Sequence, residues 1–147
     1  MAGKQHEQAY LNLLTKWNYF GNNLFINCYY SYKKMLWINL TSEKDLNELI
    51  NRSHEQPQII YKHSLRCGTS YLVKENLEDS AIPLNADFHL LDLINYRALS
   101  NQVSEIFRIR HESPQVLVIK NGICVYSKAH IGIKMTGIEN AIATVEI

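Results

Sequence analysis

Proline and glycine are scarce in this chain, at three and six of 147 residues. That excludes a collagenous or low-complexity protein, and each such residue marks a particular point of the backbone. Cysteine is equally sparse: three residues, an odd number with no paired spacing. A secreted disulfide framework is excluded, and a reducing compartment, the cytoplasm, is the expectation. No C-x-x-C or H-x3-H spacing offers a zinc site, so no metal is expected. No apolar run approaches the ~20 residues that span a bilayer, so no membrane partner is expected. Neither sign of charge is in excess: 15 Lys and Arg face 14 Asp and Glu, a net +1. A nucleic-acid binder would carry a positive surplus, so no nucleic-acid partner is expected either. Paired carboxylates, a P-loop and a dinucleotide fingerprint are also missing. What remains is a chain that is 46% hydrophobic and 20% charged, enough for one cored domain.

Residues 1–34 differ from the rest. They hold five of the nine tyrosines and five asparagines, with no Pro, Val, Asp or Arg. Lys4, Lys16, Lys33 and Lys34 against Glu7 give this segment +3, leaving −2 for the remainder. Three readings fit. The stretch is translated from a start placed too early, with Met35 the natural start. Or it is a true extension with an aromatic amphipathic helix around Ala9–Phe20. Or it is a signal sequence, against which stand four asparagines in the would-be apolar core and no small-residue cleavage site. The expected division is an extension over 1–34 and one domain over 35–147.

From Met35 on, apolar periodicity alternates between strand and helix. Leu36–Leu40 is a short apolar strand. Thr41 or Ser42 caps a helix that carries Leu46, Leu49 and Ile50 and ends near Asn51–Ser53. Pro57 opens the strand Gln58–Lys62, rich in β-branched and aromatic residues. Cys67 starts a helix that runs to about Asp79. Phe88–Ile94 reads as a buried strand, and Arg97–Phe107 as a helix through Leu99, Val103 and Phe107. Gln115–Lys120 is the most strand-like run. Asn121-Gly122 marks a type I′ hairpin turn into Ile123–Ser127. A helix from about Thr136 to Thr144 closes the chain. Strands separated by helices imply parallel pairing, with the hairpin adding an antiparallel edge. The expected fold is α/β: a mixed sheet of four to five strands flanked by helices, similar in order to thioredoxin.

Cys67 is the residue best placed for chemistry. It stands where a buried strand gives way to a helix. A thiol there faces unpaired backbone N–H groups and the positive end of the helix dipole, and both favour thiolate, the nucleophile of disulfide exchange. Lys62, His63 and Arg66 add positive charge along the sequence. Gly68 and Thr69 follow, and Ser70 occupies the second position of a C-x-x-S pattern, so no internal disulfide can form. The plain alternative is an ordinary cysteine at a helix start. Ser113-Pro114 precedes a buried strand, where proline is unusual. It reads either as a trans strand start or, as in thioredoxin-like folds, as a cis-proline facing the active cysteine. His63 either polarises the thiol or hydrogen-bonds backbone at the strand end. His111 and Glu112 either line a cleft or form a solvated turn. Cys124 reads as a small buried residue rather than a resolving thiol, and Cys28 has no role.

Taken together, Lys62-His63-Ser64, Arg66-Cys67, Ser70 and His111-Glu112-Ser113-Pro114-Gln115 resemble the YtxJ-type monothiol bacilliredoxins of the thioredoxin superfamily. Asp92–Asn101, Lys120-Asn121-Gly122 and His130-Ile131 support the resemblance, which runs from Leu36-Trp37 to the C-terminus. It implies bacillithiol as a co-substrate, with no bound cofactor, and S-thiolated proteins as partners. In the implied reaction Cys67 removes bacillithiol from a protein cysteine, Ser70 replaces a resolving cysteine, and Ser113 and Pro114 shape the cleft. Gly68 stands where the family often has proline. Two other classes share these features. One is a non-catalytic binding module of the same fold. The other is an iron–sulfur carrier like the monothiol glutaredoxins, whose site usually has Phe where Thr69 stands.

Overall fold

The computed structural model describes residues 35–83 and 85–143. The three readings of residues 1–34 therefore lie outside the described residues, as does Cys28. Among the described residues the strands are β1 (Trp37–Asn39), β2 (Gln58–His63), β3 (Asp87–Asp92), β4 (Gln115–Lys120) and β5 (Ile123–Ala129). The helices are α1 (Glu43–Arg52), α2 (Gly68–Glu78), α3 (Arg97–Ile106) and α4 (Met135–Ala143), with a 3-10 turn at His130–Gly132. Each has a local cause. Ser42 caps α1: its hydroxyl accepts from the Asp45 N–H while Asp45 accepts from the Ser42 N–H, a reciprocal capping box. Asn121 and Gly122 take φ of 50° and 75°, the left-handed pair that a type I′ turn requires.

The five strands form one sheet in the order β1-β3-β2-β4-β5. β1 and β2 both pair parallel with β3. The crossovers β1-α1-β2 and β2-α2-β3 travel in opposite directions across the sheet. One handedness therefore puts their helices on opposite faces. Ile59, Tyr61, Phe88, Val116 and Val118 pack with Val73 and Leu77 of α2 and Ile138 of α4. Ile60, Leu91, Leu117 and Ile119 pack with Leu46 and Leu49 of α1 and Leu99 and Val103 of α3. The period of two along β2 thus divides its side chains between two cores.

One expectation is corrected. A helix separates β3 from β4, which on the alternation rule predicts a parallel strand, yet β4 pairs antiparallel with β2. The cause lies after α3. Arg108 adopts φ 54° and the Ile109 N–H returns to the Ser104 carbonyl at 3.0 Å. The chain doubles back along α3, so β4 starts at the end of the sheet where β2 finishes. That reversal brings the Pro114 loop to the same end of the sheet as Cys67.

Candidate functional site

The site is built where β2 ends. Its register with β4 pairs Tyr61 with Val116 and Lys62 with Gln115, so His63 comes level with Pro114 one step further on. The chain then turns through Ser64–Arg66, with the Cys67 N–H bonded to the Ser64 carbonyl at 3.1 Å, and α2 begins. Cys67 is the N-cap residue of α2, in extended conformation at φ −120° and ψ 111°, with no side-chain cap bond. Its carbonyl accepts from the N–H groups of Ser70 and Tyr71. The N–H groups of Gly68 and Thr69 precede the first helical bond and form the positive end of the dipole. Cys67 is a free, half-buried thiol. Arg66, Gly68 and Thr69 beside it are exposed. A side-chain carbon at Gly68 would meet nothing within 4 Å, so the departure from proline there leaves open space.

Ser70 lies beneath this turn, fully buried. Its hydroxyl is 2.7 Å from His63 Nδ1 and accepts from the Ser64 N–H at 3.1 Å. The Tyr61 hydroxyl donates to the Ser70 carbonyl at 2.7 Å. Burial, aided by the Lys74 charge, pushes His63 below its ordinary value against the pull of Asp92 and Glu78. That direction favours the neutral ring, and in the tautomer with Nδ1 unprotonated the Ser70 hydroxyl donates to it. Burial pushes the Tyr61 phenol up to about 12. The His63 ring lies between the Tyr61 ring at 6.0 Å and an edge-on Tyr71 ring at 4.9 Å. Neither sequence reading of His63 describes this: the side chain bonds the serine of the C-x-x-S pattern.

Pro114 is buried, and the Ser113–Pro114 peptide is cis. The Pro114 carbonyl accepts from the His130 N–H at 2.9 Å, and the His130–Gly132 turn packs on α2. This ties the proline loop to the helix that Cys67 caps. The Ser113 hydroxyl is buried and has no partner among the described residues.

Lys62 does not join Cys67. As the neighbour of His63 on a strand it points to the opposite face. It is fully buried there, its ammonium donating to the Ser100 carbonyl at 3.3 Å and the Ser104 hydroxyl at 2.8 Å. Burial, with Arg97 nearby, lowers it to about 8. His111 sits on the same side, 3.3 Å from both the Ser100 hydroxyl and an Arg97 nitrogen. Glu112 donates its N–H to the Gln115 side chain. Cys124 packs against the second core, its thiol donating to the Tyr126 carbonyl at 3.2 Å, and burial pushes that thiol up. The residues that sequence reasoning missed are Tyr61, Arg97 and Ser100. Tyr61 and His63, two apart on a strand, carried a usable signal; Arg97 and Ser100 carried none.

No described helix is long and apolar enough to cross a membrane. Among the described residues no group of three or more His, Cys, Asp or Glu side chains converges as a metal site would require.

A single cysteine capping a helix, above a buried serine and beside a proline loop, on a mixed sheet of this order, defines a monothiol redox protein of thioredoxin fold. The solved structures similar to it carry that fold. One is a candidate oxidoreductase with a thioredoxin fold, at 25% identity, TM-score 0.63, over 71% of this chain and 91% of that one. Another is the Fasciola hepatica thioredoxin, at 20% identity, TM-score 0.58, over 74% and 98%. A third is the Schistosoma mansoni thioredoxin, at 16% identity, TM-score 0.59, over 75% and 95%. The model of the monothiol bacilliredoxin BrxC family matches residues 38–138, and the chain belongs to that family.

Proposed function

We propose that the protein removes bacillithiol from S-bacillithiolated proteins by thiol–disulfide exchange at Cys67. The Cys67 thiolate attacks the bacillithiol sulfur of a capped protein. A disulfide forms between Cys67 and bacillithiol, and the protein cysteine leaves as a thiolate that takes its proton from water. A second low-molecular-weight thiol then attacks this new disulfide, releasing Cys67 and carrying bacillithiol away as a mixed disulfide. No net oxidation occurs in either step, because each breaks one disulfide and forms another.

The observation that carries this reading is the pairing of a half-buried Cys67 at the start of α2 with a Ser70 hydroxyl already engaged by His63 and Ser64. Such a site has a nucleophile and nothing to resolve it internally. On this reading Ser113 and the cis Pro114 shape the cleft at the end of the sheet where Cys67 lies. The test is release of bacillithiol from a capped model protein by the wild type and by Cys67→Ser. Transfer is expected for the wild type and abolished in the variant. Equal release by both would refute the reading. A partner retained by Cys67→Ser, with no transfer by either form, would favour the binding module.

A further inference from the structure

Behind the proline loop lies a group of basic side chains with no acid among them. Lys62, fully buried, reaches from β2 to the backbone and hydroxyl of two α3 serines. Arg97 opens α3 and is exposed. His111, three residues before Pro114, is partly exposed and bridges Arg97 and Ser100. The ion pairs formed among the described residues are Arg52–Asp87 and Lys74–Glu78, and neither involves this group. A buried ammonium without a counter-ion is costly. Lys62 and Arg97 also repel one another, which helps hold Lys62 below the ordinary lysine value. An apolar residue would fill the same space without that cost. The Ser104 hydroxyl would keep its own bond to the Ser100 carbonyl, so the hydroxyl has no need of the ammonium.

An oxyanion would reverse these terms. Arg97 offers a planar fork of donors suited to a carboxylate or phosphate. The Lys62 charge beneath it supplies a field that is weakly screened by solvent. His111 accepts from Arg97 at one ring nitrogen and so fixes where the guanidinium points. We propose that Arg97, His111 and Lys62 form an anion-binding subsite beside the Pro114 loop, a receptor for a carboxylate or phosphate group. The group either belongs to the cap of an incoming mixed disulfide or is a free small anion. The first source rests on the exchange reading given above, and the second does not.

The experiment is titration of the reduced full-length protein with succinate and with inorganic phosphate, followed by the His111 ring resonances. A saturable shift with a Kd of about a millimolar is expected, weakened at least tenfold in Arg97→Gln. Lys62→Met, which removes the charge and keeps the bulk, is expected to weaken it similarly. Cys67→Ser is expected to bind as the wild type does, so failure of the subsite and failure of the exchange reading are read separately. The source follows from a second arm, using model proteins capped with mercaptosuccinate or with 2-mercaptoethanol. Succinate slowing removal of the anionic cap alone identifies the cap as the ligand, whereas binding without that selectivity identifies a free anion. No saturable shift, or an identical titration in Arg97→Gln, would overturn the proposal.

Discussion

His63 and Lys62 are adjacent in sequence and both buried at the end of β2, yet they occupy chemically opposite surroundings. On the α2 face, His63, Ser70, Ser64 and Tyr61 form a neutral network in which the buried side-chain groups named here have partners. On the α3 face, Lys62 and Arg97 gather positive charge beside His111, and among the described residues neither forms an ion pair with an acid. The first arrangement is what a folded interior favours, since partnered polar groups cost little. The second is what an interior avoids unless a ligand makes up the deficit. The two faces therefore differ in kind: one ties down the start of the thiol's helix, and the other keeps unbalanced charge near the Pro114 loop.

Acid attacks the α3 face hardest. His89 lies on that side of β3, bonded to Gln58 at 2.8 Å, and burial lowers it to about 4. An unfolded histidine takes up its proton near 6.5, so between about 6.5 and 4 the unfolded state binds more protons than the folded one. Stability is present above that window and is lost as pH falls through it, by on the order of 3 kcal/mol from this residue alone. His63, lowered in the same direction, adds to the loss. Denaturant melts at pH 7 and pH 4.5 measure it, and His89→Gln should flatten the difference.

Next in size is the neutral network. Ser70→Ala leaves His63 Nδ1 and the Ser64 N–H without their shared partner, at a cost of about 2 kcal/mol, read as a lower denaturant midpoint. Smallest, and of opposite sign, is Lys62→Met. Removing an uncompensated buried charge should raise stability by about 1 kcal/mol. Were Lys62→Met to destabilise the fold instead, the contrast between the two faces would fail.

Much of this was legible beforehand. Strands β2 and β4, the Asn121-Gly122 turn and the start of α2 at Cys67 follow from residue type and spacing, because each is fixed within a few neighbours. Lys62 is close to Cys67 along the chain but not in space, because a strand sends alternate residues to opposite faces and Lys62 turns to α3. The antiparallel β4 was hidden for a different reason. It depends on Arg108 holding a positive φ, which the sequence marks with neither glycine nor asparagine. The anion subsite was hidden with it, since the doubled-back segment is what carries His111 to α3. Ser113-Pro114 stands out in the sequence as a motif, but the tie of its loop to α2 through His130 is a tertiary fact.

The central claim is that Cys67 alone accepts the cap. The direct measurement is the intact mass of the reduced protein after mixing with a bacillithiol-capped model protein. The account predicts one bacillithiol adduct, located on Cys67 and formed as the model protein's thiol is released. A protein that stays unmodified while Cys67 remains open to alkylation, or that carries the adduct on Cys124, would contradict it.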